Sequence, residues 1–286
     1  MMDFFIVQTL TGFSFAAILF LLASGLSLIF GVMNIVNIAH GSYYMLGGYI
    51  GLSIYRLTNN FFISLIGAGL AVAGIGIIMQ RFFLNRFTDN FPQVLMTMGF
   101  ALVFRDLALL VWGGDPYSFP APSSLQHSIP IGNVLFPTYR LAVIFLSIAV
   151  AIGLWLFNEK TSFGAQLRAT VDDREMASGI GVNVLLVSGL MFGLGAFLAA
   201  FGGVVAAPFF GIYAGADFEV LPLAFVVVIL GGMGSLKGAA VGSIIVGLLD
   251  NWGKALFPDF SYFTIFLPMA IILAVKPTGL FGIKAN

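Results

Sequence analysis

Hydrophobic residues in this chain come in long runs rather than at alternate positions. Nine runs stand out: Thr9–Phe30, Asn37–Tyr55, Phe61–Met79, Pro92–Trp112, Tyr139–Phe157, Val184–Ala207, Leu221–Gly232, Gly238–Leu249 and Ile265–Val275. A helix needs about 20 apolar residues to cross a bilayer, whereas a barrel strand alternates apolar and polar positions. The first six runs reach or approach the helical length, and the last three are short. Gly231-Gly232-Met233-Gly234-Ser235 separates two of the short ones, and Pro258 and Pro268 interrupt the last region. Segments broken by Gly or Pro are where membrane helices become discontinuous and line a solute path. Tight, well-packed turns would read the same way. The pattern predicts an all-α, polytopic membrane helical bundle of about eight to ten transmembrane helices. Some are expected to be discontinuous, within a single domain over residues 1–286.

The largest polar interruption is Asn158–Asn183. It holds Glu159, Lys160, Arg168, Asp172, Asp173, Arg174 and Glu175, with apolar runs on both sides. Asp172 with Glu175 three residues on predicts a capping box on a short helix, and Gly179 and Gly181 predict its stop. Two readings follow: a folded, water-exposed element that touches another protein, or an ordinary capped loop. The segment Gly113–Pro137 is different. Pro116, Pro120, Pro122, Pro130 and Pro137 after Gly-Gly-Asp predict a rigid, extended loop rather than a helix. It is either a docking ledge or a compact cap over the spans.

Composition agrees with the pattern. The chain is 60% hydrophobic and 8% charged, against about a quarter charged in a soluble domain. The formal net charge is zero, which gives a nucleic-acid partner no electrostatic support. There is no cysteine, so disulfide, haem-thiolate and cysteine-ligated clusters are excluded. The first eight residues lack a basic region and a cleavage site, so Thr9–Phe30 is expected to be a retained span. Lys and Arg set orientation. Arg81, Arg86, Lys160, Arg168, Arg174, Lys237, Lys276 and Lys284 mark one side. Gly113–Thr138 and Pro208–Val220 carry no basic residue but hold Asp115, Asp217 and Glu219. The central loop and the C-terminus are therefore expected in the cytoplasm and the N-terminus outside. Arg56 and Lys254 run against this rule.

Candidate chemistry is sparse. No G-x-x-x-x-G-K-[ST] phosphate loop and no His-Glu-x-x-His or Cys/His cluster occurs. His127 sits in the Pro-rich segment and is expected to be solvated. His40 stands beside Asn34, Asn37 and Ser42, where polar groups either meet a crossing solute or satisfy a broken helix end. Gly232 and Ser235 at the glycine-rich break join them as candidates for a translocation path. Ionisable residues inside apolar runs are functional candidates by default. Arg105 and Asp106 are sequence neighbours, about 100° apart on a helix, and need separate partners. Asp250 and Lys254 are four apart and can pair. His40-Gly41 and Lys237-Gly238 each follow a break and start a Gly-studded run, a pattern compatible with a diverged internal repeat.

Four ordered motifs resemble one family. They are Gly25-Leu-Ser-Leu-Ile-Phe-Gly-Val-Met-Asn-Ile-Val-Asn-Ile-Ala-His-Gly-Ser-Tyr-Tyr-Met-Leu-Gly-Gly-Tyr, the Leu167–Asn183 loop, Leu230-Gly-Gly-Met-Gly-Ser-Leu-Lys-Gly and Lys276-Pro-Thr-Gly-Leu-Phe-Gly. Together they resemble branched-chain amino acid ABC transporter permeases of the LivH type, nearly end to end. Arg105-Asp106 departs from the uncharged polar pair expected there.

The resemblance implies a non-catalytic permease subunit in the bacterial inner membrane, with no cofactor in this chain. It implies a LivM-like second permease subunit and two LivG/LivF-like ATPase subunits carrying ATP and magnesium. An extracytoplasmic solute-binding protein completes the implied set. On this reading Phe163, Gln166, Leu167, Arg168, Asp172, Arg174, Glu175 and Met176 couple the chain to the ATPases. Branched-chain amino acids are the implied solute, with urea or short amides as the alternative cargo. A stand-alone secondary transporter is a second class. A membrane enzyme using Asp106, His40 or Asp250 is a third, but those residues are scattered along the chain.

Overall fold

The computed structural model describes residues 2–87, 89–132 and 134–282; Lys284, used above for orientation, lies outside them. Every one of the nine apolar runs is a helix. They are α1 (Met2–Met33), α2 (His40–Thr58), α3 (Phe61–Phe82), α4 (Asn90–Trp112), α5 (Thr138–Lys160), α8 (Val184–Phe210), α9 (Ala216–Gly231), α10 (Leu236–Leu256) and α11 (Ser261–Val275). Two short helices, α6 (Ser162–Asp172) and α7 (Arg174–Gly179), occupy the central polar segment.

By length and composition α1, α3, α4, α5 and α8 can each cross a membrane. The α9–α10 pair is bent by 119° at its break and adds a sixth if it counts as one span. The remaining helices are shorter, broken or more polar, so among the described residues fewer helices pass on length and composition than there are apolar runs.

Apolar helices sort by how much of their surface neighbours cover. The most apolar stretch of α1 is 83% buried and that of α8 is 67%, against 22% for α4 and 17% for α5. α1 is therefore the axis, packed on α8, α10, α5 and α9. α4 and α5 turn Leu102, Val103, Leu110, Phe145, Ile148 and Ile152 outward, the apolar wall a lipid-facing surface requires.

Lipid tails are as apolar as leucine, so helices gain little by hiding side chains and hold together by close packing. Small residues make that approach possible here. A Cβ on Gly203 of α8 would stand 2.0 Å from the Tyr44 carbonyl oxygen, and one on Gly47 of α2 would stand 2.4 Å from the Ala200 Cα. Backbone thus lies on backbone where α2 crosses α8.

Two interruptions shape the interior. Asn34 adopts a left-handed φ of 54° and ends α1. Residues 35–39 then run back beside α1, so that His40 Nε2 lies 2.9 Å from the Leu22 carbonyl oxygen. That is eleven residues before the end of α1, or about 16 Å of helix at 1.5 Å per residue. α2 therefore starts deep inside the bundle. The second break is the turn between α9 and α10, where Gly232 and Gly234 have φ of 105° and 81°. Its flanks are so close that a Cβ on Gly231 would meet the Gly238 carbonyl oxygen at 2.2 Å. Ser235 caps α10 by accepting from the Gly238 N–H at 3.0 Å.

The Pro-rich segment is not wholly extended loop. β1 (Ser128–Ile131) and β2 (Val134–Pro137) pair antiparallel, Ile129 opposite Phe136 and Pro130 opposite Leu135. Proline suits such a two-stranded edge, which leaves a free N–H side. Gly132, with φ of 63°, stands at the turn. Tyr117 bridges to Ile212, tying this segment to the end of α8. The bundle thus has a hairpin end, carrying β1–β2, and an opposite elbow end, carrying α6–α7.

Replacing Gly203 by Ala is expected to destabilise the protein by about 1–3 kcal/mol, the usual cost of overpacking. Gly99→Ala, with nothing within 4 Å of the new methyl, should be neutral or slightly stabilising. Thermal unfolding of the purified chain in detergent checks the contrast.

Candidate functional site

A cavity of about 410 Å³ opens at the hairpin end between α1, α5, α8, α9 and α10. Its walls include Phe15, Ile18, Phe209 and Leu223, and its polar groups include Tyr44, Tyr213, Arg140, Glu219, Asp250, Asn251 and Lys254. The volume lies within the roughly 300–1,000 Å³ range of small-molecule sites. Lys254 Nζ pairs with Asp250 Oδ2 at 2.8 Å, as their spacing predicts. Lys254 also lies 5.6 Å from the centre of the Phe15 ring, and Arg56 lies 4.9 Å from that of Tyr117. Arg56 and Lys254, which run against the charge rule, thus both lie over aromatic faces at the hairpin end. Tyr213 donates to Glu219 Oε2 at 2.6 Å. Burial first, then that bond and the Glu219 charge, push its hydroxyl up to about 12, so it stays a donor at physiological pH.

The polar residues singled out in the sequence stand elsewhere. Asn37, His40 and Ser42 are fully buried, and Asn34 is exposed at the end of α1. Ser42 Oγ donates to Asp217 Oδ2 at 3.0 Å, joining α2 to α9. A Cβ on Gly41 would meet the Asp217 carbonyl oxygen at 2.5 Å, so the two helix starts are in backbone contact. Gly232 and Ser235 belong to the α9–α10 turn at the elbow end. Arg105 sits over the Phe218 ring, 5.6 Å from its centre, while Asp106 points outward. His127 is exposed. Arg140 and Tyr213 were missed because neither lies in a polar cluster. The signal that could have found Arg140 is its breach of the charge rule directly after a segment without basic residues.

The central segment folds into an elbow. Thr161 Oγ1 accepts from the Gly164 N–H at 3.0 Å and starts α6. A Cβ on Gly164 would meet the Phe157 carbonyl oxygen at 2.4 Å, so α6 lies directly against the end of α5. Arg168 donates through its guanidinium to the Asn158 carbonyl, satisfying one of the orphan acceptors at the end of α5. Leu167 is buried in the core, and Phe163 packs on Phe157 with ring centres 5.6 Å apart. The cap of α7 is Asp173, not Asp172: Asp173 Oδ1 accepts from the Met176 N–H at 2.9 Å. Asp172 instead belongs to the last turn of α6. α7 ends at Gly179 and Gly181 takes a φ of 92°, the stop the glycines predict. Gln166, Asp172, Arg174, Glu175 and Met176 are exposed.

Comparison with known proteins agrees with this architecture. Residues 8–275 match the family model described as branched-chain amino acid transport system / permease component. The chain therefore belongs to that family of membrane transport permeases, which are not themselves catalytic. It is 26% identical to the high-affinity branched-chain amino acid transport system permease protein LivH of Escherichia coli (strain K12), over 98% of this chain and 96% of that one. It is 26% identical to BraD, a permease protein of the same description from Pseudomonas aeruginosa, over 97% and 96%. It is 29% identical to the autoinducer 2 import system permease protein LsrC of Escherichia coli O9:H4 (strain HS), over 86% and 71%.

Ser42→Ala removes a donor from a buried carboxylate and is expected to cost about 1–3 kcal/mol. A lowered midpoint in thermal unfolding of the purified chain checks it; an unchanged midpoint would mean water replaces the hydroxyl.

Proposed function

We propose that this chain is one translocation subunit of an ATP-driven ABC importer for branched-chain, hydrophobic amino acids in the bacterial inner membrane. It has no engine of its own. Two separate ATPase subunits, holding ATP and magnesium, press on the elbow from the cytoplasm. A second, LivM-like permease completes the path, and a solute-binding protein delivers cargo at the hairpin end. The C-terminus lies on the cytoplasmic side with the elbow.

The observation that carries this reading is the build of α6–α7. Its inner face is anchored by Leu167, Gly164 and Arg168, so it moves as one piece with the end of α5. Its outer face leaves Met176 66% and Ile180 71% exposed beside Arg174 and Glu175. Apolar side chains ringed by charge at the end of a bundle suit a protein partner better than water. Arg174, Glu175 and Met176 make the contact, with Gln166 and Asp172 at its edge. Phe163, Leu167 and Arg168 hold the elbow rigid.

Ordered breaks at Asn34–His40 and Gly232–Ser235 are the positions where rigid halves can shift against each other, and Asn37, His40 and Ser42 lie at that joint. The LsrC relative is named for a different cargo, autoinducer 2.

Two experiments test the proposal. ATPase subunits should co-purify with the chain from its native membrane. Arg174→Glu combined with Glu175→Arg should cut uptake at least about tenfold, a loss of roughly 1.4 kcal/mol of coupling. ATP hydrolysis and membrane insertion should persist. Uptake at the normal rate by the double variant would sink the elbow as the transmission element.

A further inference from the structure

Four charged side chains face the cavity at the hairpin end: Arg140, Glu219, Asp250 and Lys254. Asp250 and Lys254 neutralise each other across 2.8 Å. Arg140 and Glu219 are left. Among the described residues no carboxylate lies within 4.0 Å of the Arg140 guanidinium. It rests instead over the Phe209 ring, 5.4 Å from the centre. Its backbone is held by Ser14 Oγ, which donates to the Arg140 carbonyl at 3.4 Å, and by its neighbour Tyr139, whose hydroxyl donates to the Val205 carbonyl at 2.8 Å. Glu219 takes one hydrogen bond from Tyr213 and pairs with no cation among the described residues. One cavity therefore presents one unmatched cation and one unmatched anion, with apolar walls beside them.

The sign of the guest follows. A singly charged guest meets only one of the two groups, half-buried Arg140 or exposed Glu219, and leaves the other without a charged partner. A neutral guest such as urea or a short amide leaves both. A zwitterion matches both at once. A carboxylate fits the two-pronged donor face of a guanidinium, and an ammonium fits a carboxylate already oriented by a neighbour. An apolar side chain then lies on Phe15, Phe209 and Leu223.

We infer that this cavity binds the zwitterionic head of an α-amino acid with an apolar side chain, Arg140 taking its carboxylate and Glu219 its ammonium. This deepens the solute reading given above and rests on it. The site adds a second selection step after any delivery protein, and one that reads the head group rather than the side chain.

The chain has no cysteine, so Leu223→Cys places a single thiol in the wall. The full chain in lipid nanodiscs is labelled with N-ethylmaleimide in the presence of L-leucine, 3-methylbutylamine, 4-methylpentanoate or urea. Leucine should slow labelling, and each truncated analogue should need at least about tenfold more to do the same. Arg140→Gln should abolish protection by leucine and Arg140→Lys should restore part of it. Saturation-transfer NMR of the leucine methyls on the unsubstituted chain should show the same order of ligands. Equal protection by the amine or the acid overturns the assignment, as does no leucine signal in either measurement. If that happens while ATPase subunits still co-purify, the zwitterion site falls and the importer-subunit reading stands.

Discussion

Inside hydrocarbon a broken helix has no water to satisfy its free N–H and C=O groups, so other parts of the protein must do it. Much of this architecture answers that constraint at two breaks. At the first, Thr97 Oγ1 of α4 accepts from the Ile38 N–H at 3.1 Å, and His40 reaches the Leu22 carbonyl of α1. At the second, the segment after α11 pairs with the end of α9: Leu280 N–H donates to Leu230 O at 2.9 Å and Phe281 N–H to Gly231 O at 2.8 Å. These contacts join residues that lie 18 to 59 positions apart in the chain. They also explain why polar side chains are buried near the breaks without lining a cavity.

The breaks have a second consequence. Because α2 begins deep in the bundle, its first turn meets the first turn of α9, through Ser42 and Asp217. α9 in turn places Glu219 in the cavity one helical turn after its start. The position of a cavity side chain therefore depends on how residues 34–39 fold back. A single continuous helix from α1 onward would have left Asp217 without its donor.

The hairpin end and the elbow end are joined by continuous helices. α5 carries Arg140 in its first turn and Lys160 in its last, where Arg168 and Gly164 fasten α6 to it. α8 starts after the α7 stop and ends with Phe209 beside the cavity. The cavity and the elbow thus sit at opposite ends of the same two rods.

Local order was legible from the residues themselves. Nine apolar runs became nine helices because helix length and hydropathy are properties of consecutive residues. The Asp250–Lys254 pair followed from a four-residue spacing, and the stop at Gly179–Gly181 from glycine's freedom at positive φ. The cap of α7 was misplaced by one residue, since Asp172 and Asp173 are chemically equal and only the length of α6 chooses between them. The β1–β2 hairpin was hidden by its prolines, which read as loop until a partner strand is present. The cavity was out of reach altogether. Its charges come from α5, α9 and α10, and nothing in the spacing of Arg140, Glu219 and Asp250 says that they share a wall. Composition and periodicity decide what each segment becomes; which distant side chains face each other is decided only when close packing at small residues sets the angle between the helices.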